Sequence, residues 1–300
     1  MSGAPASPPT TATVVGTGAM GPEIAAALAG AGLRTTVAGR TPEKAAEAAG
    51  RARGLAGGAS VGAAVLGPDA VADVGLVVET ISEDPAAKAE LLGRLGAWTA
   101  PTTLVATNTS SLTIGDLAAS LPGPARFAGL HFLKPAHLTA VVEVIPGPAT
   151  APATTTSLVE LAGKMGKTPL VVRADVPGFI WNRIQFAVLR ECLHMLEAGV
   201  ADAADIDAAV ADGLAPRWMA AGPLATADLG GLRTFALVSE QLFPALADTH
   251  EVPDSLARPA REGGALAPWT AEAGPAVADL RADTLAMGRE VTARRRALGA

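Results

Sequence analysis

The sequence predicts an α/β chain, in which a doubly wound parallel sheet is followed by an all-helical C-terminal domain. Three observations predict it. Strand-like and helix-like segments alternate from Thr13 to Val172, the rhythm of β-α-β units. A glycine-rich turn joins the first strand to the first helix. From Pro177 onward almost every segment reads as helix. The expected division is a tail over residues 1–11, an α/β domain over residues 12–175 and a helical domain over residues 176–300.

Each element has its own signal. Thr13 to Val15 is a β-prone run that stops at glycine, Glu23 to Ala31 is a helix ended by Gly32, and Arg34 to Ala38 is a second strand. Thr41 with Pro42 opens the next helix, as N-cap and first helical position. The Gly- and Ala-rich stretch from Arg51 to Gly67 has no clear assignment. Gly75 to Glu79, Thr103 to Ala106, Phe127 to His131, Ala140 to Ile145 and Thr168 to Val172 read as strands. Pro85 to Leu95 and Thr155 to Lys164 read as helices.

Bulk properties narrow the function. A net charge of -6 argues against a general nucleic-acid binder. No run of 18 or more uninterrupted apolar residues suggests a spanning helix. The start of the chain has neither the basic n-region nor the apolar stretch of a secretory signal, so a cytoplasmic location is expected. One cysteine, Cys192, excludes an internal disulfide framework and reads as a buried structural thiol. No metal site is expected. The basic end, Arg294 to Arg296, reads as a solvated helix terminus.

The first turn is Gly16-Thr17-Gly18-Ala19-Met20-Gly21, a G-x-G-x-x-G string between strand and helix. The first glycine permits the turn, the second lets the backbone approach a pyrophosphate, and the third lets helix and strand pack. This is the Rossmann dinucleotide fingerprint in its proper context. The second strand ends Ala38-Gly39-Arg40-Thr41, without the carboxylate that NAD binders use for the ribose. Arg40 and Thr41 suit a ribose phosphate, so NADP(H) is the expected cofactor, with NAD(H) possible.

Four further strings carry polar residues that a fold alone would not demand: 107–112 (TNTSSL), 129–135 (GLHFLKP), 141–144 (VVEV) and 177–183 (PGFIWNR). In order and spacing they resemble the 3-hydroxyacyl-CoA dehydrogenase family, together with its relatives acting on gulonate and carnitine. The resemblance covers roughly residues 13–234. It implies that His131 is the catalytic base and that Glu143, twelve residues later, orients it. It implies that Ser110 meets the reacting oxygen, that Asn182 closes the site, and that Asn108, Glu83 and Lys88 lie at the cofactor. The segment from Gly222 to Leu232 resembles the part that builds the family's helical domain and dimer contact, so a homodimer is expected. An imidazole with a carboxylate on its far nitrogen suits proton transfer in both directions of a hydride-transfer reaction.

The sequence also departs from the family pattern. Lys134 replaces the asparagine of the H-F-F-N-P string, placing a cation near the chemistry where it can meet an anionic substrate group. Only 38 residues separate Arg40 from Glu79, too few for the basic helical hairpin that helps hold coenzyme A. The stretch from Glu262 to Trp269 lacks the family's lysine and aromatic ending. The expected function is oxidoreduction of a 3-hydroxy/3-oxo acyl thioester, on CoA or a carrier protein. A dehydrogenase of a small free hydroxy acid, a non-catalytic dinucleotide binder and an imine reductase remain as alternatives.

Overall fold

The computed structural model describes residues 8–267 and 269–297, so most of the expected tail lies outside the described residues. The chain separates into two compact units, Met1–Arg183 and Ile184–Ala300. The first unit runs past residue 175 because the Glu143 carboxylate accepts the Ile180 and Trp181 N–H groups, tying that segment to the sheet.

One eight-stranded sheet organises the first unit. Its strands are β1 (Thr11–Val15), β2 (Arg34–Gly39), β3 (Val61–Val65), β4 (Leu76–Glu79), β5 (Leu104–Thr107), β6 (Phe127–Phe132), β7 (Val141–Pro146) and β8 (Thr168–Val171). Their order is β3-β2-β1-β4-β5-β6-β7-β8. Pairing is parallel throughout except between β6 and β7. The order reverses between β1 and β4, and the crevice outside the strand ends at such a switch point is where dinucleotides bind. β1 begins at Thr11, inside the expected tail.

Helices cover both faces. Side chains alternate across each strand, so Ala12 and Val14 of β1 enter one core and Val15 the other. The first core packs against α1 (Met20–Gly30), α2 (Pro42–Leu55) and α5 (Pro152–Lys164) through Ile24, Leu28, Ala48, Leu158 and Leu161. The second packs against α3 (Pro85–Trp98) and α4 (Ile114–Ala118) through Leu91, Leu92, Leu95, Ile114 and Leu117. Caps define the starts: Thr41 Oγ1 accepts from Lys44 N (3.4 Å) at α2, and Asp84 Oδ1 accepts from Ala87 N (2.7 Å) at α3.

The second unit contains helices and no strand among its described residues: most of α6 (Trp181–Glu197), then α7 (Ala203–Ala208), α8 (Ala215–Ala220), α9 (Pro223–Gly230), α10 (Leu232–Leu242), α11 (Asp254–Glu262) and α12 (Trp269–Ala297). Glu191 accepts from Ala247 N (2.8 Å) and Glu197 from Ser255 N (2.9 Å), fastening the connections to α6. Among the described residues no helix is long and apolar enough to cross a membrane. Cys192 is half-buried rather than buried, and desolvation with the charges of Asp207 and Glu191 pushes its thiol pKa up. That favours an inert thiol.

Candidate active site

The glycine turn opens a cleft of about 530 Å³ at the switch point, lined by Gly16, Gly18, Gly39, Arg40, Ser82 and Arg94 among others. Each glycine has a separate reason. Gly16 has φ +136° and faces Thr80, whose oxygens lie 2.3 and 2.9 Å from where a Cβ would stand. A Cβ at Gly21 would collide with the Gly16 carbonyl at 2.0 Å. One at Gly18 would meet no protein atom within 4 Å, so the space beside this glycine is open to a ligand. Ala19 precedes α1 without a side-chain cap, which leaves the amides of the first turn, from Met20 onward, for an anion. These residues fit a dinucleotide pyrophosphate.

The ribose end of the cleft is cationic and sterically tight. A Cβ at Gly39 would lie 2.8 Å from Thr17 Cγ2 and 3.0 Å from Ala45 N, so a side chain here requires Thr17 and the start of α2 to give way, and the chain carries no carboxylate at this position. Arg40 lines the cleft beside it, with Thr41 next at the α2 cap. Arg51 Nη2 donates to the Thr17 carbonyl (2.6 Å), and Arg94 also lines the cleft, paired with Glu90 (2.5 Å).

Two of the four polar strings pair as β6 and β7. The antiparallel register places His131 directly opposite Glu143, so both side chains leave the same face. His131 Nδ1 lies 2.6 Å from Glu143 Oε2. An ionised carboxylate only accepts, so Nδ1–H donates and Nε2 is left with its lone pair when the ring is neutral. Ser110 Oγ stands 3.2 Å from Nε2. The pair is buried, and the Phe179 ring lies tilted against the imidazole at a centroid distance of 5.6 Å. Phe179 has φ +51°, an uncommon conformation for a bulky residue. It directs the next two amides, Ile180 N (2.8 Å) and Trp181 N (2.9 Å), onto Glu143 Oε1.

Comparison with known proteins gives the family. Residues 11–176 match the family model described as 3-hydroxyacyl-CoA dehydrogenase, NAD binding domain, and residues 178–267 match its C-terminal domain. The chain belongs to the 3-hydroxyacyl-CoA dehydrogenase family. This dehydrogenase is an NAD(P)-dependent oxidoreductase acting on CH–OH groups. It is 32% identical over 252 residues to 5-formyl-3-hydroxy-2-methylpyridine 4-carboxylate 5-dehydrogenase of Mesorhizobium japonicum, covering 80% of this chain and 82% of that one. It is 39% identical over 195 residues to a probable 3-hydroxybutyryl-CoA dehydrogenase of Deinococcus radiodurans, covering 65% and 69%. Among solved structures it resembles a 5-formyl-3-hydroxy-2-methylpyridine 4-carboxylic acid 5-dehydrogenase described as an NAD⁺-dependent dismutase, with TM-score 0.85, 30% identity and coverage of 95% and 97%.

Some expected contacts of this dehydrogenase take a different form. Lys88, expected at the cofactor, is buried. Its ammonium bonds both oxygens of Glu79 (2.8 and 3.0 Å) and the Ile81 carbonyl (3.3 Å). A desolvated cation takes the acceptors that neutralise it. Glu83 spends its Oε1 on the Ser110 loop, accepting from Ser110 N (2.7 Å). Asn108 accepts from Phe132 N (2.8 Å), joining the ends of β5 and β6. Asn182 donates to the Ser110 main-chain carbonyl (3.2 Å), so it grips the serine's backbone. Lys134 is exposed and follows β6, and Glu23 of α1 anchors that loop by accepting from Ala136 N (2.6 Å).

Two carboxyls of the candidate site carry displaced pKa values. Burial works to raise that of Glu143, but the His131 ring and the Trp181 and Ile180 amides outweigh it and hold it low. Glu83 is likewise lowered: burial opposes it, while Thr109, Ser110, Lys88 and Ser111 together prevail. Sequence reasoning missed Glu79, Thr107, Phe179 and Arg94 as site residues. The strings 177–183 and 107–112 contained the signal for Phe179 and Thr107; Glu79 and Arg94 become visible only once strands and helix converge. Among the described residues no group of three or more His, Cys, Asp or Glu is arranged for a metal ion.

Proposed function

We propose that the dehydrogenase interconverts a hydroxyl and a carbonyl on a 3-hydroxy/3-oxo acyl substrate, with His131 as its acid and base. The observation that carries this reading is the hydrogen-bonded series Ser110–His131–Glu143. In oxidation His131 Nε2 takes the hydroxyl proton, while Ser110 Oγ holds the reacting oxygen beside it. Glu143 fixes the tautomer that leaves Nε2 basic and stabilises the imidazolium that forms. The bound nicotinamide cofactor supplies the acceptor or donor of the hydride. In reduction the same imidazolium returns the proton.

A specific observation favours a compact, carboxylated substrate over a CoA thioester. Only residues 56–60 connect α2 to β3, leaving no place for a coenzyme-binding hairpin. The relative covered over four fifths of its length acts, by its name, on a pyridine carboxylate. Lys134 offers a cation for such a carboxylate. The cofactor reading is NADP(H), from Arg40 at the ribose end and the absence of a carboxylate at Gly39. The helical unit is read as the homodimer contact, because Leu224 and Leu229 of α9 are 85% and 81% exposed.

A spectrophotometric panel tests the reading. Acetoacetyl-CoA, its short thioester analogue and carboxylated aldehydes or ketones are offered with NADPH and with NADH. Turnover of at least one carbonyl class supports the proposal. Tight cofactor binding with no turnover of any class removes it.

A further inference from the structure

The Ser110 loop gathers on one carboxylate oxygen. Glu83 Oε1 accepts from Thr109 Oγ1 (2.5 Å), Ser110 N (2.7 Å), Ser111 N (3.0 Å) and Ser111 Oγ (3.1 Å). Its other oxygen lies 3.4 Å from the Lys88 ammonium. Lys88 is itself clamped on Glu79, and Glu79 Oε2 accepts from Thr107 Oγ1 (2.6 Å). Thr107 Oγ1 in turn accepts from Thr109 N (3.2 Å). The loop is thus held at its base by Glu79 and at its tip by Glu83, with one buried ammonium joining the two carboxylates.

Ser110 is consequently fixed at three points. Its N–H is held by Glu83, its carbonyl by Asn182, and its hydroxyl meets His131. Charge-assisted bonds to main-chain amides are among the stronger ones available to a loop. Fixing both peptide groups around Ser110 sets where its Oγ can reach. Orientation of this kind is realised before substrate arrives and is not repeated in each turnover.

We propose that Glu83 is a positioning residue that keeps Ser110 Oγ against His131 Nε2, with Lys88 and Glu79 holding Glu83 in place. This rests on the reading of Ser110 and His131 as the reacting pair. The negative charge matters as well as the acceptor geometry. A glutamine at this position retains one acceptor oxygen but turns an amide donor toward the Lys88 ammonium.

The test is a double-substitution cycle read by the ¹⁵N chemical shift of His131 Nε2, which reports its hydrogen bond directly. The full chain is compared with Glu83→Ala, Glu83→Gln, Ser110→Ala and Glu83→Ala/Ser110→Ala. The expected result is that Glu83→Ala and Ser110→Ala move the signal to the same place and the double variant moves it no further. Glu83→Gln, the variant that best retains the fold, lies between wild type and Glu83→Ala. In turnover of whichever carbonyl class the wild type reduces with NADPH or NADH, Glu83→Ala lowers kcat about tenfold or more, yet adds less than about twofold in the Ser110→Ala background. The proposal is overturned if Glu83→Ala leaves the Nε2 signal unmoved, or if NADH and NADPH binding weaken about tenfold while that signal stays in place. Undiminished turnover in Ser110→Ala removes the underlying reading of Ser110 instead, and the spectroscopic cycle then judges the positioning claim alone.

Discussion

His131 and Glu143 oppose each other across the one antiparallel strand pair of the sheet, with 2.6 Å between Nδ1 and Oε2. The same carboxylate accepts two amides from the segment after Phe179. One side chain therefore serves both the imidazole and the chain path. Glu143→Gln keeps the size but gives up the charge, and its kcat is expected to fall about 100-fold or more, with cofactor affinity unchanged. Stopped-flow reduction with matched cofactor titrations checks this.

Acid should unfold the protein through its lowered carboxyls. Glu143 and Glu83 both titrate below the ordinary glutamate range. Their contribution to stability is complete above about pH 4.3 and is lost as pH falls through the lower folded values. The thermal midpoint is expected to hold level on the neutral side of that window and to drop below it. In Glu143→Gln the midpoint is lower at neutral pH and the acid drop is smaller. A midpoint series across pH for both proteins decides it.

Lys88→Met tests the ion pair under the site. The substitution leaves Glu79 buried without its counter-ion, and an uncompensated buried charge costs about 3–5 kcal/mol. Urea unfolding should show a loss of that size. A change below about 1 kcal/mol would mean that the pair is not the anchor the distances indicate.

Cofactor choice is tested at the ribose end. Arg40→Ala is expected to weaken NADPH about tenfold or more and NADH little, since a charge-assisted bond to phosphate is lost only for the former. Fluorescence titration with both cofactors reads the ratio. A wild-type preference for NADH would remove the NADP(H) reading outright.

The exposed apolar side chains of α9 and α10 suit a homodimer. Leu229→Glu with Leu232→Glu is expected to shift sedimentation from dimer to monomer while the helical signal persists. A monomeric wild type would contradict this.

Much of the site was legible because its residues lie in ordered strings. The glycine turn announced the switch point, and a twelve-residue spacing across a strand, bend and strand brought His131 to Glu143. β3 was not legible. Its sequence VGAAV has weak strand propensity and it is an edge strand, so its burial shows no clean alternation. α4 spans five residues, too few for a helical period to declare itself. The antiparallel β6–β7 pair extends a sheet expected to be parallel, because the bend after Lys134 turns the chain straight back. The burial of Lys88 against Glu79 was not legible, because it depends on a strand and a helix meeting, which local pattern does not encode.

His131 is expected to exchange the proton that accompanies hydride transfer. The direct measurement is kcat for His131→Gln beside wild type, with whichever carbonyl class the wild type reduces, and with cofactor binding measured in parallel. A fall of about 100- to 10,000-fold at intact cofactor affinity is the expected result. Turnover within about threefold of wild type, a difference worth less than 1 kcal/mol of barrier, would contradict the account.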